Sequence, residues 1–206
     1  MTPASYLPRL YAIIDAVFFP DAAALLAFAG ELRAAGVALF QYRNKSGNAR
    51  QMLSQARELR RQLQDVRLII NDRADLCLAA GFDGVHVGQE DLSVEGARRV
   101  LGDQLWVGVS THVPEQVEAA AATSADYVAV GPVFPTSSKA NPDPAIGLQG
   151  VRVARNLTRK PLVAIGGVTR ENCRQVLEAG ADAVAVISDL LDTPRKSAEE
   201  FLRRLG

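Results

Sequence analysis

Short apolar runs recur along the chain, and each one breaks off at a polar residue or glycine. Leu10–Ile14 runs into Asp15, Leu39-Phe40 into Gln41-Tyr42-Arg43-Asn44-Lys45, and Leu68–Ile70 into Asn71-Asp72. Val85–Val87 leads to Gln89-Glu90-Asp91, Trp106–Val109 to Ser110-Thr111-His112, and Tyr127–Val130 to Pro135-Thr136-Ser137-Ser138-Lys139. Leu162–Ile165 ends at Gly166-Gly167 and Ala183–Ile187 at Ser188. Runs that are rich in β-branched residues and apolar on both faces read as buried parallel strands.

Helical periodicity fills the gaps between runs. Ala22 to Ala35 carries Leu25, Leu26, Phe28 and Leu32 in a helical rhythm behind Asp21, a good N-cap. Gln51 to Gln64 sets Leu53, Ala56, Leu59 and Leu63 on one stripe. Ser93 and Pro114 open two more helices, and Thr169-Arg170-Glu171-Asn172 resembles a cap followed by an acidic first turn. A weak repeat precedes several strands: Gly81-Phe82-Asp83, Ser124-Ala125-Asp126 and Gly180-Ala181-Asp182. Eight alternations exceed the five or six that an open doubly wound sheet needs, and predict an α/β fold, a closed (β/α)8 TIM barrel. No linker-like stretch interrupts them, so residues 1–206 are expected to form a single domain, short beside the usual barrel of about 250 residues. Such a barrel gathers the polar run-ends at one mouth.

Charge narrows the partners. Lys+Arg and Asp+Glu are both 23, so the formal net charge is zero, which argues against nucleic acid or a membrane surface. The first residues lack the pattern of a signal peptide, and no apolar run approaches the roughly 20 residues that span a bilayer. A cytoplasmic protein is expected. Cys77 and Cys173, inside helical segments without ligand spacing, read as small buried hydrophobes.

Asp72 and Asp91 stand one strand–helix unit apart, so a barrel brings both to one mouth. One or two carboxylates plus substrate phosphate oxygens are what Mg²⁺ accepts. Pairing of Asp72 with Arg73 and helix capping by Asp91 are the competing structural roles. Gln41, Arg43 and Lys45 alternate along a strand and share one side, where Arg43 can fork onto phosphate oxygens and Lys45 adds a compact charge. Lys139, behind the hydroxyls of Thr136, Ser137 and Ser138, adds a third cation, and Ala140–Pro144 reads as a loop or lid. Gly166-Gly167 and Ser188 mark a second anion site, where glycine lets backbone N–H groups approach a phosphate. His112 has no carboxylate in sequence reach, and a structural or positioning role weighs at least as much as that of a general base. His86, between Val85 and Val87, points into the barrel or the helix layer and is given no role.

These segments, taken in order, resemble the thiamine phosphate synthase family: Gln41-x-Arg43-x-Lys45, Asn71–Asp75, His86–Leu92, Gly108–His112, Gly131–Lys139, Ala164–Gly167 and Val186–Ser188. The resemblance spans Tyr11 to Ser188, and implies a transferase of thiamine biosynthesis that joins a hydroxymethylpyrimidine diphosphate to a thiazole phosphate, releasing diphosphate. By position it implies that Gln41 and Ser110 hold the pyrimidine. Arg43, Lys45, Asn71 and Lys139 grip the diphosphate, and Asp72 and Asp91 bind Mg²⁺. Thr136 and Ser138, with Ser137 between them, face the thiazole substrate. The thiazole phosphate lies on Gly167, Ile187 and Ser188, beside Gly166. Arg43, Lys45, Ser110 and Lys139 are the residues expected to act in the chemical step. The family is thought to react by dissociation, with a pyrimidine methylene cation captured by the thiazole nitrogen. That fits the absence of an acid/base dyad. Asn44, Ser46 and Ser138 depart mildly from the residues common at those places. The resemblance also suggests a homodimer. Two alternatives stay open: a thiazole tautomerase-like isomerase, which would have no use for Gln41, Arg43, Lys45, Asp72 and Asp91 together, and a non-catalytic phosphate-ligand-binding barrel. A sugar-phosphate isomerase is disfavoured by the lack of an acid/base pair.

Overall fold

All eight apolar runs become strands, each parallel to its neighbours: β1 (Leu10–Asp15), β2 (Leu39–Arg43), β3 (Arg67–Asn71), β4 (Gly84–Val87), β5 (Trp106–Thr111), β6 (Tyr127–Val130), β7 (Leu162–Ile165) and β8 (Ala183–Val186). The sheet closes on itself in sequence order, with Tyr11 of β1 in register with Ala185 of β8. The protein is seen in a computed structural model that describes residues 7–45, 48–136 and 143–206. It is a closed (β/α)8 barrel.

The helices are α1 (Ala22–Ala34), α2 (Ala49–Gln62), α3 (Ala74–Ala80), α4 (Val94–Leu101), α5 (Pro114–Ala121), α6 (Gly147–Leu157), α7 (Cys173–Glu178) and α8 (Pro194–Leu205), with 3-10 turns at Ala16–Phe18 and Ser188–Leu190. Asp21 caps α1 by accepting from Ala24 N at 2.8 Å, and Ser93 caps α4 by accepting from Gly96 N at 3.1 Å. The expected cap at Thr169 is displaced. There the Asn172 carboxamide accepts from Thr169 N at 2.8 Å and donates to Gly167 O at 3.0 Å, which holds the segment as a turn and delays α7 to Cys173.

Strand alternation divides the core into two shells. Tyr11, Ile13, Leu39, Ile69, Trp106, Tyr127, Ala129, Val163, Ala183 and Ala185 fill the barrel interior. Leu10, Ile14, Phe40, Tyr42, Val85, Val87 and the apolar helix stripes form the outer shell. Both cysteines are buried in helices and unpaired, as expected.

The sequence repeat has a structural cause at the barrel base. Asp83, Asp126 and Asp182 each accept a backbone N–H from the first turn of a neighbouring strand, at 2.7 Å from Leu68, Val107 and Leu162 respectively. Each also pairs with an arginine of an even-numbered helix: Arg60 at 2.9 Å, Arg98 at 2.7 Å and Arg155 at 2.8 Å. The same arginines donate to carbonyls of the turn that leaves their own helix, such as Gly102 and Leu105 for Arg98. One carboxylate thus ties a helix end to two strands, three times around the ring. At the base Arg67 closes the interior by stacking 3.9 Å over Trp106.

Candidate active site

The carboxyl ends of the strands open into a cavity of about 770 Å³. Gln41, Arg43, Lys45, Asn71, Asp72, Asp91, Ser110, Thr136, Gly166, Gly167, Ile187 and Ser188 all line it. Every predicted site residue among the described ones is therefore brought to one mouth. Ser137, Ser138 and Lys139, with the loop through Pro142, lie outside the described residues.

β2 extends through the polar segment, so alternation turns Gln41 and Arg43 inward and Tyr42 outward, where Asn44 donates to the Tyr42 hydroxyl at 3.1 Å and to Gln55 Oε1 at 3.2 Å. Arg43 is held by the carboxylate of Asp15, which is 2 % exposed at the end of β1. The other Asp15 oxygen accepts from Val17 N at 3.2 Å. A carboxylate this deeply buried needs a cation beside it. Asp15 thereby fixes where the guanidinium points, a role the sequence pattern did not reveal, because the residue reads as a mere run-end.

Asp72 follows β3 in the left-handed backbone region, at φ 63°. Such a conformation in a non-glycine residue costs about 1–3 kcal/mol and tends to mark functional positions. It aims the carboxylate across the mouth, where Lys45 Nζ meets it at 2.5 Å. Arg73 pairs instead with Asp75, at 2.5 Å, so the competing Asp72–Arg73 pair does not form. Asp91 does not cap α4; its carboxylate accepts from Gly88 N at 2.9 Å and lies within hydrogen-bond reach of Asp72. Burial, and then the facing Asp91, push the Asp72 carboxyl above its usual range against the pull of Lys45.

Two carboxylates converge at an open rim beside Lys45. Among the described residues no group of three or more His, Cys, Asp or Glu side chains is placed to hold a metal. Mg²⁺, which takes one or two carboxylates and fills its remaining positions with water and phosphate oxygens, fits this donor set.

The opposite side of the mouth is built from backbone. Gly167, at φ 62°, lies so close to the chain after β6 that a Cβ would sit 2.6 Å from Pro135 O and 2.7 Å from Phe134 Cβ. Only glycine suits both the backbone angle and the space. Arg170 and Asp189 pair at 3.0 Å, and Asp189 also accepts from Arg170 N at 2.8 Å, which ties the loop after β7 to the turn after β8. No carboxylate lies in sequence reach of His112, but the fold brings a distant one to it: Asp143 comes within 3.5 Å of Nδ1, which also lies 2.7 Å from Gly131 O.

Below the charged rim runs a buried polar chain. Gln41 Nε2 donates to the Tyr11 hydroxyl at 2.9 Å, and the Tyr11 and Tyr127 hydroxyls are 3.0 Å apart. His86 Nδ1 is 3.0 Å from the Tyr127 hydroxyl, and His86 Nε2 is 2.8 Å from Ser110 Oγ. His86 thus points into the barrel, one of its two expected directions. Among the described residues no buried side-chain nitrogen or oxygen lacks a partner. A buried hydroxyl without one would cost about 1–3 kcal/mol, so these links come as a set. Tyr11, Tyr127 and His86 were missed as site residues; the readable signal was two tyrosines and a histidine on the inward phase of strands otherwise lined with small or apolar residues.

A barrel that carries cations, paired carboxylates and a glycine cradle at the carboxyl ends of its strands belongs to the class that handles phosphorylated small molecules. Comparisons with known proteins place it more finely. The family model for thiamine monophosphate synthase matches residues 10–190, and the chain belongs to that family. It is 62% identical over 203 residues to a thiamine-phosphate synthase of Koribacter versatilis, covering 97% of this chain and 96% of that one. To a thiamine-phosphate synthase of Agrobacterium fabrum it is 41% identical, covering 87% of this chain and 84% of the other. A solved thiamine phosphate pyrophosphorylase from Pyrococcus furiosus superposes with a TM-score of 0.85 at 33% identity, covering 96% and 95% of the two chains.

Proposed function

We propose that the chain forms thiamine phosphate by transferring a hydroxymethylpyrimidine group from its diphosphate ester to the ring nitrogen of a thiazole phosphate. The observation that carries this reading is the convergence of Arg43, Lys45, Asp72 and Asp91 on one side of a mouth whose other side is Gly166, Gly167, Ile187 and Ser188. One side suits a diphosphate and the other a monophosphate.

In this reading the C–O bond of the pyrimidine methylene breaks, and the electron pair leaves with diphosphate. The methylene carbon then forms a C–N bond to the thiazole nitrogen. Arg43 and Lys45, with Asn71 and Lys139, bind the diphosphate oxygens where negative charge grows, which lowers the barrier to departure. Asp15 keeps Arg43 aimed. Asp72 and Asp91 would hold Mg²⁺, which when bound neutralises part of that charge. Gln41 and Ser110 orient the pyrimidine at the polar floor, and Thr136, Ser137 and Ser138 face the thiazole. A ring nitrogen needs no base to become nucleophilic, and His112, occupied with Gly131 and Asp143, supplies none. Apolar walls such as Ile13, Val163 and Ile165 keep water from the cation.

We also read the protein as a cytoplasmic homodimer. No helix among the described residues is long and apolar enough to cross a membrane. Leu78 on α3, Leu92 in the loop before α4 and Val100 on α4 are exposed apolar side chains of the kind a partner copy covers. Incubation with both phosphorylated substrates and Mg²⁺ tests the activity: thiamine phosphate and diphosphate should appear in equal amounts, and absence of both would refute it. In the same assay Lys139→Ala should slow a single turnover more than it weakens thiazole phosphate binding.

A further inference from the structure

The polar chain on the cavity floor has a direction. Gln41 donates to the Tyr11 oxygen, so the hydrogen of that hydroxyl must find an acceptor elsewhere. Among the described residues its one other hydrogen-bond partner is the Tyr127 oxygen. Tyr127, having accepted it, has its own hydrogen for His86 Nδ1. That nitrogen must then carry a lone pair, which places the imidazole proton on Nε2, facing Ser110 Oγ. Ser110 accepts, and its hydroxyl hydrogen is left to point into the cavity. With Gln41 as the donor, reversal of the Tyr11–Tyr127 link strands the Tyr11 hydrogen at a residue 1% exposed, and reversal of the Tyr127–His86 link leaves the Tyr127 hydrogen without its acceptor.

The strands are built for this arrangement. His86 of β4 is in register with Gly108 of β5, and Gly108 with Tyr127 of β6. A Cβ on Gly108 would lie 2.0 Å from Tyr127 Cζ and 2.3 Å from its hydroxyl oxygen. The missing side chain is the space through which the tyrosine reaches the histidine across an intervening strand.

We propose that Tyr11, Tyr127 and His86 are positioning residues that fix the hydrogen-bond polarity of the pyrimidine site: Gln41 presents its carbonyl and Ser110 its hydroxyl hydrogen. This deepens the function proposed above and rests on it. An aminopyrimidine offers the complementary pattern, an exocyclic amine that donates and a ring nitrogen that accepts. An acceptor on the amine also pushes electron density into the ring, which favours the positive methylene carbon as diphosphate leaves. The relay therefore acts on kcat as well as on KM. An oxopyrimidine, with acceptor and donor exchanged, meets like against like, and a site built for one pattern rejects the other strongly.

Two measurements test the proposal. Nitrogen-15 imidazole NMR of the substrate-free chain near neutral pH should show neutral His86 with its proton on Nε2. A proton on Nδ1, or the doubly protonated ring, overturns the polarity. In the second measurement, kcat/KM for the aminopyrimidine diphosphate is compared with that for its oxo analogue. Tyr11→Phe leaves Gln41 free to turn its carboxamide, so the preference should fall about tenfold or more from a site-built discrimination on the order of 10⁴. Tyr127→Phe should lower it similarly, and neither change should alter KM for thiazole phosphate. An unchanged preference in both folded variants overturns the proposal, and if a variant does not fold, the tautomer of the unsubstituted chain decides. A chain that makes no thiamine phosphate would refute the function and still leave the tautomer to be read.

Discussion

The two ends of the barrel use the same residue types to opposite effect. At the base, Asp83, Asp126 and Asp182 each meet an arginine and a strand N–H, so each charge is answered within the fold. At the mouth, Asp72 adopts a left-handed backbone and faces another carboxylate, with Lys45 drawn in beside it. The base stores stability. The mouth gives some up so that charge remains available to a ligand, and residue type alone does not say which kind of aspartate is which.

The comparison breaks most sharply through activity. Asp72→Ala and Asp91→Ala should each lower kcat by about 100-fold or more, the scale on which preplaced charge matters, while circular dichroism and Tm stay near those of the parent chain. Normal turnover in both variants with Mg²⁺ present would end the metal assignment. At the base the pattern inverts. Asp126→Ala takes the carboxylate from Arg98 and the side-chain acceptor from Val107 N, and should cost about 2–4 kcal/mol in denaturant unfolding with kcat unchanged.

A smaller effect separates the two sides of the mouth. Gly167→Ala places a Cβ against Pro135 O at a left-handed backbone position, and should raise KM for thiazole phosphate about tenfold, a loss of about 1.4 kcal/mol, with less change for the pyrimidine diphosphate. A uniform loss for both substrates would show that the glycine serves the fold rather than one ligand.

Next comes pH. The folded Asp72 carboxyl binds its proton more tightly than the unfolded group, whose ordinary value is 3.8. Its contribution therefore favours the fold at low pH and is lost as pH rises through the folded value. Protonation also removes a ligand for a cation. The Mg²⁺-induced rise in Tm should accordingly be larger near neutral pH than in the acidic range just above that ordinary value, and a rise independent of pH would contradict it. The smallest expectation concerns Cys77, whose thiol is pushed up to about 12, first by burial. It should resist thiol reagents in the native state at mildly alkaline pH and react only on unfolding.

Much of this was legible beforehand. Eight runs with polar ends gave the barrel, because parallel strands buried on both faces leave a plain mark in composition. Gln41, Arg43, Asp72 and Asp91 were readable because strand alternation and loop position are local properties. What stayed hidden depends on closure of the ring. Asp15 acquires its role only when β1 lies beside β2, Asp143 only when its loop meets the end of β5, and His86 only when Gly108 leaves room for Tyr127. The positive φ at Asp72 is only weakly foreshadowed by residue type, because aspartate merely tolerates that region better than most residues. The weak repeat before several strands likewise shows its purpose only in the fold, where Asp83, Asp126 and Asp182 tie helix ends to strands at the base.

The most direct test is one paired experiment, thermal unfolding and steady-state turnover on Asp72→Asn and Asp126→Asn side by side. The barrel's division of labour predicts that Asp72→Asn keeps the parent Tm or exceeds it while losing most turnover, and that Asp126→Asn melts several degrees lower with turnover intact. If Asp72→Asn unfolds early, or Asp126→Asn abolishes catalysis in the folded protein, the mouth and the base do not divide the work in this way.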